Sequence, residues 1–156
     1  MKKQKQQNQQ QLSPQVYIRT RARQLAIGNC YINSDWKESG LATIIVTRKH
    51  TNGNYTFALY LVDLFALGTK NTFFNFNVDE DVINELLARI EDEDIILADY
   101  TLVHNIIYGA NAFAQDHDLK IHKDFELTQY ILENDDENIE LIEIEFGKNG
   151  EAFVIV

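Results

Sequence analysis

Residues 41–63 read LATIIVTRKHTNGNYTFALYLVD, two runs rich in β-branched and aromatic residues around Thr51-Asn52-Gly53-Asn54. Asn-Gly is the preferred pair for a two-residue type I′ hairpin turn, so the stretch predicts strands over 41–50 and 55–63 folded about Asn52-Gly53. In that register Ile44 and Val46 oppose Leu61 and Leu59, and Arg48 opposes Phe57. One face is then apolar and the other mixed, which calls for a covering layer on the apolar side.

The flanking sequence supplies that layer. Upstream, Ser13-Pro14 provides a cap and a first-turn proline for a helix to about Arg23, and a short strand fits Ala26–Asn33. Downstream, 64–72 reads as a loop and Phe73–Asn77 as a further strand. Residues 79–90 place apolar side chains at 82, 83, 86, 87 and 90, the period of an amphipathic helix. A second helix is predicted from Asp99 to about His117, where Gly109 among alanines suggests close approach of another backbone. A shorter helix follows over 124–132. Ile142, Ile144 and Phe146 alternate with glutamates, which predicts a second hairpin with 152–156 about Asn149-Gly150. The expected fold class is α+β: a mainly antiparallel sheet built from two β-hairpins, with two to three helices packed on one face.

Composition limits the function. The chain has 156 residues, 45% of them apolar, a net charge of −10 and one cysteine. Residues 13–156 fit a single domain with its own core, and residues 1–12 read as a disordered Lys/Gln-rich tail. The lone Cys30 excludes an internal disulfide and any CxxC site, which favours a reducing compartment. No secretory h-region follows the N-terminal lysines and no apolar run is long enough to span a bilayer, so a soluble cytoplasmic protein is expected. Lys2, Lys3, Lys5, Arg19, Arg21 and Arg23 precede any acid, so all 24 acids follow this basic leader. An acidic body repels phosphate, and any nucleic-acid contact would run through the leader, with Arg19, Arg21 and Arg23 as its binding residues.

Nucleotide-binding glycine loops, nucleophile elbows, HExxH helices and EF-hand loops are all absent from the sequence. Scattered polar groups remain. His104, Tyr108, Asn111 and Gln115 fall in one line along the second long helix, either bounding a pocket or forming the polar margin of a half-buried helix. Asp63 ends a strand beside apolar neighbours, where a carboxylate can bind metal or cap a turn. His117, His122 and Asp124 lie close in sequence and would need His104, Asp63 or Cys30 to complete a zinc or manganese site. Tyr31 and Trp36 are residue types that anchor interfaces, and 116–156 is strongly acidic.

Three functional readings follow. The first is a non-catalytic interaction or adaptor module whose partner is a protein rather than nucleic acid or membrane. The second is a divalent-metal-dependent hydrolase or nuclease using Asp63, His104, His122 and Asp124, the only reading that assigns a cofactor. The third is a small-molecule binding domain using the polar stripe Tyr108, Asn111 and Gln115. An open sheet edge would also permit a homodimer.

Overall fold

The computed structural model describes residues 12–154; the expected tail over 1–12 lies almost wholly outside them. Five strands form one antiparallel sheet in the order β4-β3-β2-β1-β5. They are β1 (Ala26–Asn33), β2 (Leu41–Lys49), β3 (Tyr55–Asp63), β4 (Gly68–Val78) and β5 (Ile95–Ala98). The helices are α1 (Pro14–Arg21), α2 (Trp36–Ser39), α3 (Glu80–Arg89), α4 (Tyr100–Asp116) and α5 (Phe125–Thr128). Short 3₁₀ turns at Ala22–Gln24 and Gln129–Ile131 extend α1 and α5. The chain is α+β with an antiparallel sheet, and among the described residues no helix is long and apolar enough to cross a membrane.

The central hairpin forms with a different turn. His50 N–H donates to Asn54 O at 2.8 Å and Gly53 N–H donates to His50 O at 3.0 Å, enclosing a three-residue loop. Gly53 takes φ 90°, the left-handed conformation that follows a type I turn in such loops. One extra loop residue moves the register by one, so Ile44 pairs with Tyr60, Val46 with Ala58 and Arg48 with Thr56.

That register makes both faces of the sheet apolar, and helices cover both. Ala42, Ile44 and Val46 with Val62, Tyr60 and Ala58 face a core completed by Val103, Ile106 and Ile107 of α4. On the opposite face Ile45, Phe57 and Leu59 meet Ile83 of α3, with Val82, Leu86 and Leu87 alongside. The expected single helical layer is therefore two layers. Phe57 and Leu59 explain it, because two large apolar side chains on the second face need their own cover. α3 begins where Asp79 accepts from Asp81 N–H at 3.0 Å, with Glu80 and Asp81 in its first turn.

Three other expectations change. β4 begins at Gly68, so residues 68–72, expected in a loop, are strand, paired with β3. Gly109 of α4 admits a side chain rather than a backbone, since a Cβ there would lie 2.4 Å from the Phe146 ring. The close backbone approach is at Gly68 of β4, where φ is 64° and a Cβ would stand 3.1 Å from the Ala110 carbonyl oxygen and 2.7 Å from the Asn111 side-chain Oδ1. The second hairpin is absent among the described residues: around Asn149-Gly150 there is only an isolated bridge between Lys148 and Glu151. The alternation at Ile144 and Phe146 reflects packing on the core beside α4. The backbone there is held elsewhere. Ile142 N–H donates to Asn105 Oδ1 at 3.0 Å, and Gly147 N–H donates to Leu64 O at 2.9 Å.

Candidate functional site

β5 is the outermost strand at one edge of the sheet, and it follows Glu91-Asp92-Glu93-Asp94, all exposed. Ser34 fixes the approach, donating from N–H to Asp94 O at 2.8 Å and from its hydroxyl to Asp94 Oδ2 at 2.8 Å. Ile32 and Tyr31 of β1 pair with Ile96 and Leu97, while among the described residues nothing pairs with the outer edge of β5. Ile96 is 44% and Leu97 67% exposed, projecting to opposite faces, and Asp99 stands exposed just beyond. An unpaired edge with large apolar side chains between acidic flanks was not singled out by sequence. Its four residues are too short to show a period, and the acids mask them in any averaged hydropathy.

The four residues of the metal reading sit in separate local arrangements. Asp63 caps the turn after β3, accepting from Phe65 N–H at 2.9 Å and Leu67 N–H at 3.3 Å. His104 is buried in a relay. Glu133 N–H donates to the Tyr100 hydroxyl at 2.7 Å, which leaves that hydroxyl to donate to His104 Nδ1 at 2.8 Å. Nε2–H then donates to Asp135 Oδ1 at 3.1 Å, and no position on the imidazole stays free. His122 Nδ1 accepts from Asp124 N–H at 3.1 Å in the turn before α5. His117 bonds to Phe113 O at 2.9 Å, and Cys30 is buried with its thiol pushed up to about 11 by desolvation. Among the described residues no three His, Cys, Asp or Glu side chains lie close enough to share a metal ion.

The arginines do not make a phosphate-facing stripe. Arg19 on α1 and Arg23 in the 3₁₀ turn after it both lie over the Tyr130 ring and are engaged by the body. Arg19 bonds both carboxylate oxygens of Glu126, one at 2.6 Å, which raises the guanidinium and lowers the carboxyl from their ordinary values. Arg23 donates to Leu132 O at 2.8 Å and stacks 5.0 Å from the Tyr130 ring centre. Arg21 is exposed. Trp36 is half-buried at the start of α2 beside a cleft of about 390 Å³, and Tyr31 supports the face of β5 that carries Leu97.

The polar stripe of α4 divides. His104 turns into the core, whereas Tyr108, Asn111 and Gln115 line a cleft of about 460 Å³ that also takes in His122 and Phe125. Sequence spacing placed the first three on one line, and the turn before α5 brings His122 to them.

Arg48 went unmarked by sequence reasoning because a charged residue near a hairpin end reads as solvated. It is among the largest fully buried side chains. Nε donates to Ile131 O at 2.7 Å, Nη1 to Leu25 O at 2.8 Å and Nη2 to Glu133 Oε2 at 3.2 Å.

No family model, no curated protein and no solved structure matches this chain.

Proposed function

We propose that this chain is a protein-interaction module whose β5 edge receives an extended, lysine- or arginine-rich segment of a partner protein. The observation that carries the reading is the unpaired edge strand with Ile96 and Leu97 exposed between Glu91–Asp94 and Asp99. An added strand would satisfy the free backbone groups of β5, with side-chain pockets selecting alternate residues. The acidic flanks would steer a basic partner and make its association rate fall with salt.

Charge argues against a second copy as the occupant. An antiparallel pairing of two β5 strands about their midpoint sets Asp94 of each copy opposite Asp99 of the other, and like charges directly opposed destabilise a ladder. A basic segment turns both contacts attractive.

The test is fluorescence anisotropy with a labelled peptide of alternating Lys and Val, beside one of alternating Glu and Val. The basic peptide is expected to bind at low salt and the acidic one is not. Leu97→Lys and the double variant Glu91→Lys, Asp92→Lys should each weaken binding. Absence of binding by the basic peptide, or affinity untouched by both variants, would remove the β5 reading.

A further inference from the structure

The cleft beside α4 is separate from the β5 edge and has its own chemistry. Asn111 is only 4% exposed, and its amide orientation is fixed by its partner. Thr69 N–H can only donate, so the atom facing it at 2.7 Å is Oδ1, and the other end of the amide is the NH₂ group. That Nδ2 has no hydrogen-bond partner. A buried amide donor without an acceptor is costly, and native proteins rarely keep one without reason. Gly68 leaves open the space where a Cβ would crowd Oδ1, and the Thr69 bond fixes which end of the amide is the donor.

We infer that this cleft binds a small, uncharged, planar molecule bearing a carbonyl or ring-nitrogen acceptor, such as a carboxamide or a nitrogen heterocycle. His122 supplies a second donor. Its Nδ1 accepts from Asp124 N–H, so the neutral ring carries its proton on Nε2. Its own backbone N–H donates to Thr69 O at 2.7 Å, which ties the turn carrying the imidazole to the residue that holds Asn111.

Shape and charge select against other ligands. The Tyr108 and Phe125 rings meet edge to face with centres 5.8 Å apart, forming an aromatic wall for a flat molecule. Burial pushes the Tyr108 hydroxyl up to about 12, so it stays neutral and can donate or accept. At the rim Glu126 is neutralised by Arg19 and Asp135 accepts from His104. The Arg19–Glu126 pair and the opposite charges of Lys123 and Asp135 leave the rim without one sign of charge, so an ion gains little there and a cation would also face the Asn111 and His122 donors. A volume of about 460 Å³ accommodates one or two fused rings.

The experiment follows the Asn111 side-chain amide by NMR during titration with benzamide, benzoate and benzylamine. Benzamide is expected to shift the Asn111 NH₂ resonances, with benzoate and benzylamine each at least about tenfold weaker. Asn111→Asp keeps the acceptor for Thr69 and replaces the donor, and should lower benzamide affinity by about tenfold. Ala112→Phe fills the exposed floor of the cleft without touching the amide and should abolish binding even if the Asn111 variant fails to fold. The inference is overturned if benzamide leaves the Asn111 resonances in place, if Ala112→Phe binds it unchanged, or if benzylamine binds equally well, which would mean adhesion of the ring alone.

Discussion

Arg48 Nε lies 2.7 Å from the carbonyl oxygen of Ile131, 83 residues further along the chain. The guanidinium sits at the end of β2, where it gathers backbone oxygens from Leu25 and Ile131 and a carboxylate from Glu133. Three segments distant in sequence thus share one buried cation. Arg48→Met keeps much of the volume but leaves the carbonyls unpaired, and should destabilise the fold by about 3 kcal/mol or more. Urea unfolding measures this; a loss below about 1 kcal/mol would mean that the carbonyls find other donors.

His50 gives stability a defined pH dependence. His50 Nε2 lies 2.7 Å from Thr56 Oγ1, which also accepts from Asn77 N–H at 3.0 Å, so the ring is fixed beside the end of the central hairpin. Burial lowers this imidazole below its ordinary 6.5. The unfolded chain therefore binds more protons than the folded one between the two values, and stability falls as pH drops from 6.5 through the lowered value. Melting temperatures of the native chain and His50→Gln from about pH 7.5 to 5.5 should diverge, with the variant less sensitive to acid. Parallel profiles would place the dependence on other groups.

Cys30 is expected to be chemically silent. Its thiol is raised to about 11 by desolvation and is buried, so very little thiolate exists at neutral pH. Labelling with a chromogenic disulfide should proceed only as fast as the chain opens, and accelerate in denaturant. Rapid labelling of the native protein would contradict the burial.

Gly68→Ala probes the contact between β4 and α4. The substitution forces a Cβ into a left-handed backbone and toward Asn111 Oδ1, and should cost about 1–2 kcal/mol or more. Differential scanning calorimetry reads the shift. A neutral effect would show that the helix can yield there.

Much of this architecture is legible in the sequence because burial imposes a period. β1, α3 and α4 occupy the stretches that alternation and helical spacing indicate, and the central hairpin is displaced only in register. That displacement arises because Asn52-Gly53 suits a three-residue loop as well as a two-residue one. β5 escaped because four residues among acids carry no period. The C-terminal alternation misled because two side chains packing on a helix mimic a strand. At the candidate sites, Tyr108, Asn111 and Gln115 could be aligned by spacing alone. The Asn111–Thr69 contact and the capping role of Asp63 depend on tertiary neighbours that no local pattern encodes.

The two faces of the sheet also differ in when their parts become available. Ile45, Phe57, Leu59 and Ile83, the buried residues of the α3 side, are all present once synthesis reaches residue 90. The opposite side needs Ile131, the main acceptor for Arg48, which at roughly 5–20 residues per second emerges about 4–17 s after Arg48 itself. Until then, closing that side would bury a cation with the Leu25 carbonyl but without the Ile131 carbonyl and the Glu133 carboxylate. A nascent chain can thus seal one half of its interior early, while the other half must stay open to water until its last third has been made.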